Sequence, residues 1–172
     1  MVKVYIDRLT NVQEAIAEVD KFIQQRSSSL PEVSLLQTIP GFGTTTAYLL
    51  ASEIGDVTRF PNSKKFASYF GLVPRLSQSG NHAYYGRITK LGNPYVRWSL
   101  VQASHRLVRS NKNYKRFVDR IFYKHGKKKA IVALARKMAT IVYTVLKEKR
   151  VYQKEYKKNP VVCPAIIPER LS

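Results

Sequence analysis

The first 23 residues carry an apolar repeat that leaves little choice of secondary structure. Seven apolar residues recur at alternating steps of three and four, namely Val2, Tyr5, Leu9, Val12, Ile16, Val19 and Ile23. This heptad spacing predicts one long helix with a narrow apolar stripe. Because a stripe this narrow cannot form a core alone, it requires a partner helix in the same chain or in another. We predict a coiled-coil helix over residues 1–30, with a homodimer as the favoured arrangement.

A glycine-containing turn follows this helix. The segment 32–56 reads as two apolar helices joined by Pro40-Gly41-Phe42-Gly43, and the threonines that come next are good helix caps. This order is typical of a helix-hairpin-helix, in which glycines let backbone N–H groups approach a DNA phosphate. Any tight corner between helices uses the same residues. We therefore name Gly41 and Gly43 as candidate nucleic-acid contacts.

The rest of the chain predicts a mainly α-helical fold. A short helix is expected near residues 62–70, an extended or hairpin segment at about 75–90, and helices at 95–110, 112–126 and 127–149. Asn93 and Pro94 form a strong helix start. From residue 150 onward prolines recur and the helical period is lost, which predicts an extended or disordered tail over 150–172. The all-α body thus spans residues 31–149.

Charge is distributed very unevenly along the chain. The formal net charge is +19, yet residues 1–56 hold seven acids against four Lys or Arg, and the remainder holds 26 cations against four acids. Such an excess exceeds what solubility needs and indicates a polyanion partner, most often a nucleic acid. A ribosomal-type RNA binder stays open on the charge alone. We select as phosphate contacts Arg75, Arg87, Lys90, Arg97, Lys127, Lys128 and Lys129. Two alternatives stay open: Arg97 as a partly buried structural arginine, and the lysine triplet as a solvated helix start.

The residue types also exclude several classes of protein. One cysteine, Cys163, gives neither a disulfide framework nor a cysteine zinc site. The 11 acids and three histidines show no spacing typical of metal ligands, so no metal or cofactor is predicted for this chain. Without an apolar run long enough to span a bilayer, we expect no membrane contact and a cytoplasmic protein.

A serine in the predicted hairpin could carry covalent chemistry. A hydroxyl can attack a phosphodiester and hold the DNA end as a phosphoserine, provided that cations stabilise the developing charge. Ser79 precedes Gly80 and lies between Arg75 and Arg87 in the sequence, and Ser77 is the alternative in the same loop. A Ser-Gly pair is more often an ordinary turn.

Several motifs together resemble a known family. The IPGFG turn, the series EIGD, RF and GL-P that follows it, the QSG tripeptide and the run K-GN-R resemble the C-terminal transposase domain of the insertion sequence one-ten family. These proteins are bridge-RNA-guided DNA recombinases related to Piv-type invertases, and the resemblance covers about residues 35–146. It implies that Ser79 is the serine that attacks DNA.

The resemblance also implies a composite active site. In that family an N-terminal RuvC-like domain holds an acidic tetrad for Mg²⁺ and is joined through a coiled coil, which residues 2–23 resemble. The tetrad is not in this chain, so we expect the chain to bind DNA and to dimerise but to be inactive alone. The resemblance also implies a guide RNA as a partner. The alternative functions are a non-catalytic helix-hairpin-helix protein and an interaction protein built on the heptad helix.

Overall fold

The computed structural model describes residues 1–79, 82–153, 156–157, 159–160 and 163–164, with only the backbone described for 77–79, 82–85 and everything after 153. Seven helices lie within these ranges: α1 Val2–Ser27, α2 Pro31–Gln37, α3 Thr44–Ile54, α4 Ser63–Tyr69, α5 Pro94–Ser110, α6 Lys112–His125 and α7 Lys127–Glu148. A 3-10 turn, Val57–Arg59, precedes α4, and strands β1 Pro74–Ser79 and β2 His82–Ile88 separate α4 from α5. The mainly helical fold predicted from the sequence is confirmed.

Asparagine side chains start three of the helices. Asn62 Oδ1 accepts from the Lys65 N–H at 2.9 Å and opens α4. Asn93 caps α5 in the same way, with Pro94 in the first turn, as the sequence predicts. Asn111 both ends α5 and caps α6. Each cap satisfies a backbone N–H that has no partner inside the helix, so these boundaries follow from local chemistry.

Helix α7 is the centre of the core. Eleven of its 22 residues are buried, including Leu134 and Met138 at 0% exposure. Helices α4, α5 and α6 all pack against it. Tyr143 closes the α4 side, where its ring lies 5.6 Å from that of Phe66 and its hydroxyl donates to the Phe60 carbonyl at 3.2 Å. None of the described helices has the combined length and apolarity needed to cross a bilayer.

Helix α1 packs far less than the others. It contacts α3, but its stripe residues from Val2 to Val19 are 55–73% exposed, and only Ser27 is buried. The long helix predicted by the heptad is therefore present. Among the described residues no helix covers the stripe from Val2 to Val19, and the predicted dimer stays a prediction.

Short strands follow α7. Strand β3, Arg150–Val151, pairs with Cys163–Pro164 in antiparallel register, and Tyr156–Lys157 pairs with Asn159–Pro160. Tyr152 joins this end of the chain to the body, because its hydroxyl lies 2.7 Å from that of buried Tyr114 and its N–H donates to Thr38 Oγ1. Most of the predicted tail, 150–172, lies outside the described residues.

Candidate nucleic-acid interface

The hairpin β1–β2 is fixed to the body by two glycines. Gly71 and Gly92 both adopt positive φ angles, +66° and +71°. A Cβ at Gly71 would overlap the backbone of Leu91, and one at Gly92 would overlap the Tyr69 carbonyl oxygen. Only glycine permits both this conformation and this close approach of two chain segments. The end of α4 and the segment that follows β2 are consequently in backbone contact.

Arg97 ties the same two segments together. Its Nη1 donates to the Phe70 carbonyl at 3.2 Å and to the Leu91 carbonyl at 2.9 Å, and the residue is half-buried. Both acceptors belong to the base of the hairpin. The contacts match the structural alternative considered for Arg97 and use part of its hydrogen-bonding capacity.

Glu53 completes the base of the hairpin. Its Oε1 accepts from the Tyr69 hydroxyl at 3.0 Å, and its Oε2 accepts from Asn93 Nδ2 at 2.8 Å. The carboxylate therefore links α3 to the end of α4 and the start of α5. Arg59 adds to this corner by donating to the Glu53 carbonyl at 3.1 Å and lying over the Tyr69 ring. Glu53 thus supports the hairpin, a role that its sequence context did not reveal.

Three predicted phosphate contacts lie at this base. Arg75, Arg87 and Lys90 are all exposed. A register shift between Pro74 and Leu76 interrupts the pairing beside Arg75, and Lys90 adopts a left-handed backbone with φ +58°. A bulge re-aims side chains at a sheet edge. The structure thus places three exposed cations on the hairpin and the segment that joins it to the body.

The serine candidates fall where side chains are not described. The backbone of Ser77 pairs with Tyr84 and that of Ser79 pairs with His82, so both residues belong to β1 near the tip of the hairpin. Gly80, which follows Ser79, lies outside the described residues, as do the side chains of both serines. The predicted nucleophile stays a prediction.

The two glycines of the α2–α3 turn differ. Gly41 has φ +88°, and a Cβ there would lie 2.9 Å from the Ala103 carbonyl oxygen of α5. Gly41 must therefore lack a side chain so that the α2–α3 turn can pack against α5. Gly43 precedes the first turn of α3, is exposed, and has nothing within 4 Å of an added Cβ. Of the pair, Gly43 has the room for an external phosphate.

The lysine triplet lies at the start of α7. Lys127, Lys128 and Lys129 are exposed in the first turn of this helix. Tyr143, which packs on α4, lies about 15 residues further along α7, or roughly 22 Å along the helix axis. The triplet is therefore separated along α7 from the part of the helix that contacts α4.

Comparison with known proteins decides the family. Residues 33–119 match the family described as Transposase IS116/IS110/IS902 family. The chain belongs to this transposase family. The matched range runs from α2 into α6 and contains the α2–α3 turn, the hairpin and its base.

Curated relatives agree with this assignment. The chain is 31% identical over 149 residues to the transposase for insertion sequence element IS1111A of Coxiella burnetii, covering 84% of this chain and 41% of the relative. It is 35% identical over 157 residues to the pilin gene-inverting protein of Moraxella bovis, covering 86% and 48%. A probable family 20 transposase of Pseudomonas aeruginosa is 28% identical over 151 residues, covering 86% and 45%. This chain thus spans less than half the length of each of these relatives.

Proposed function

We propose that this chain is the DNA-binding portion of an insertion-sequence recombinase and supplies a serine nucleophile to a composite active site. Family membership supports a role in moving or inverting DNA segments. The charge distribution supports a phosphate-backbone ligand, since 26 of the 30 Lys and Arg follow residue 56. The observation that carries the proposal is the exposure of Arg75, Arg87 and Lys90 in and beside the hairpin that contains Ser79.

The proposed chemistry is a phosphoryl transfer. The Ser79 Oγ attacks a DNA phosphorus as its proton leaves to a base, and the P–O bond to one sugar oxygen breaks. That sugar leaves as a hydroxyl, while the strand stays joined to the protein as a phosphoserine. Because the phosphoester is retained, a second hydroxyl can attack it and rejoin the strand. Arg75, Arg87 and Lys90 stabilise the added negative charge on the phosphoryl oxygens.

We propose that the metal-binding carboxylates of this composite active site are supplied by a separate domain. Among the described residues no three His, Cys, Asp or Glu side chains cluster as a metal site. Glu53 is committed to Tyr69 and Asn93. We propose that carboxylates of a separate RuvC-like domain hold Mg²⁺ near the hairpin, that α1 pairs with its counterpart in a dimer, and that a guide RNA selects the target.

A pair of serine variants tests the nucleophile. In a full-length relative, alanine at the position matched by Ser79 should abolish strand exchange and the covalent protein–DNA adduct while DNA binding persists. Alanine at the position matched by Ser77 is the control and should leave the adduct intact. If the Ser77 variant alone loses the adduct, the nucleophile is the neighbouring serine. If both variants keep it, the hairpin supplies no nucleophile and a non-catalytic DNA-binding role takes its place.

A further inference from the structure

One face of α5 exposes aromatic and basic side chains in a single row. The row, here called the α5 stripe, consists of Tyr95, Trp98, Gln102, Arg106 and Arg109, spaced three or four residues apart. Residues at this spacing share one face of a helix. Tyr95 is 71% exposed and Trp98 is 62% exposed. The stripe begins at the base of the hairpin and ends one residue before the end of α5.

The buried side of α5 does not account for these residues. Val96, Leu100, Ala103 and Leu107 form the inward face and are 0% exposed. Folding therefore places two large rings in solvent while the core is already filled by other residues. Exposed aromatic residues beside arginines are the usual composition of a surface for single-stranded nucleic acid, because every unpaired base offers a π-face and every nucleotide a phosphate.

A cationic cleft lies just beyond the end of the stripe. Its volume is about 470 Å³, and its lining residues are Asn113, Arg116, Phe117, Arg120 and Lys137. Asn113 follows Arg109 by four residues, so their Cα atoms are at most about 14 Å apart. The lining thus contains three cations and no acid. Residues Arg120 and Lys137 fall outside the range of the family match.

Two of the cations of this cleft lie near the same aromatic ring. Lys137 Nζ lies 4.8 Å from the centre of the Phe117 ring, and the Arg120 guanidinium lies 5.9 Å from the same ring. Burial lowers the pKa of Lys137, and the charge of Arg120 lowers it further. Both causes disfavour the charged form of Lys137. An anion bound in the cleft would offset the repulsion and stabilise that form.

We propose that the α5 stripe is the track for an unpaired nucleic-acid strand, whose bases stack on Tyr95 and Trp98 and whose phosphates contact Arg106, Arg109 and the cleft. The inference rests on the nucleic-acid role proposed above and adds a second contact beside the hairpin. Helix α5 has 17 residues and is roughly 25 Å long. At about 3.4 Å per nucleotide, an oligonucleotide of roughly seven residues spans it.

Trp98 provides a direct readout because it is the only tryptophan in the sequence. Titration of the chain with a ten-nucleotide oligothymidylate at low salt should quench its fluorescence, since a stacked base lies against the indole ring. A duplex with the same number of phosphates should bind with little quenching, because its bases are already paired and stacked. Binding of the oligothymidylate without quenching would overturn the track and leave the proposed DNA role standing. No binding of either nucleic acid at low salt would remove both proposals.

Substitutions locate the contact. Tyr95→Ala should weaken binding of the oligothymidylate about 5- to 100-fold, the range expected from loss of one stacked base. The matched control is Tyr5→Ala, which removes a tyrosine that is 60% exposed on α1 and should change the affinity less than 2-fold. Equal effects of the two variants would overturn the proposal, as would a Tyr95→Ala variant that binds as tightly as the parent chain.

A second pair of variants tests the cleft. Arg116→Ala combined with Arg120→Ala should make the slope of log affinity against log salt shallower by about 1.4, or 0.7 for each lost phosphate contact on a single strand. Lys64→Ala with Lys65→Ala removes the same charge from exposed positions on α4 and serves as the control. The proposal requires the cleft pair to change the slope more than the control pair. Equal changes of slope in the two pairs would show that the salt dependence reflects only the total charge of the chain. That result would contradict the proposed contact of the strand with the cleft.

Discussion

Helices α1 and α7 are similar in length, yet their apolar residues meet opposite surroundings. In α7, Leu134 and Met138 are fully buried, whereas in α1 Leu9 is 63% exposed and Ile16 is 56% exposed. The heptad of α1 therefore forms a helix although its stripe from Val2 to Val19 is exposed, and only the C-terminal end of α1 is buried against the described chain. The buried apolar core of the body is centred on α7 and the helices around it, whereas most of the α1 stripe is exposed. The predictions below test this division.

Removal of a buried leucine from α7 should have the largest effect. Leu134→Ala leaves a cavity in the centre of the core and should lower the free energy of unfolding by about 2–5 kcal/mol. Chemical denaturation followed by circular dichroism measures the change. A loss below about 1 kcal/mol would show that α7 is not the centre of the stable unit.

The α2–α3 turn should respond next most strongly. Gly41→Ala combines a left-handed backbone with a Cβ that meets the Ala103 carbonyl, so it should cost about 1–3 kcal/mol of unfolding free energy. Gly43→Ala is the matched control, because its backbone is extended and its surroundings are open. It should cost no more than about 1 kcal/mol, the loss expected when alanine replaces a favoured residue at the N-cap of α3. Thermal melts of the two variants compare them directly. Equal melting temperatures would mean that the turn does not pack on α5 as described.

The hydroxyl pair that joins Tyr152 to the body should have a smaller effect. Tyr152→Phe removes a 2.7 Å hydrogen bond to the buried Tyr114 and should lower the free energy of unfolding by about 0.5–1.5 kcal/mol. Urea denaturation at neutral pH provides the measurement. An unchanged midpoint would show that the residues after 148 do not unfold together with the body. Like α1, they would then contribute little to its stability.

The smallest effect is expected on α1. In dilute solution, where the chain is monomeric, Leu9→Ala should change the unfolding of the body by no more than about 0.5 kcal/mol. At higher concentration the parent chain should dimerise in light scattering, and Leu9→Ala should shift that association to higher concentration. A dilute-solution loss as large as that of Leu134→Ala would contradict the comparison. A parent chain that stays monomeric at every concentration would remove the proposed dimer.

Local signals in the sequence predict much of this fold. The caps at Asn62 and Asn93, the turn near Gly41 and the period of α7 each depend on a few neighbouring residues, so the helices were predictable. The packing at the base of the hairpin could not be predicted in this way. Glu53 meets Tyr69 and Asn93 across 16 and 40 residues, and no spacing rule connects them.

The proposed binding surfaces show the same limit. Arg75, Arg87 and Lys90 were predicted as phosphate contacts because cations flank a short loop in the sequence, and the structure shows that all three are exposed. The cleft between α6 and α7 was missed, since Arg116 and Lys137 meet only after two helices fold against each other. The stripe of Tyr95 and Trp98 was also missed from the sequence, because its exposure is known only once the opposite face of α5 is seen to fill the core.

The salt dependence of DNA binding tests the central claim most directly. With this chain and a duplex of arbitrary sequence, contacts from at least four cations of the body should give a slope of log affinity against log salt of about −3.6 or steeper. Affinity would then fall about 100-fold or more between 50 and 200 mM salt. A slope shallower than about −1, or no binding at the lower concentration, would contradict a body that docks on the sugar-phosphate backbone.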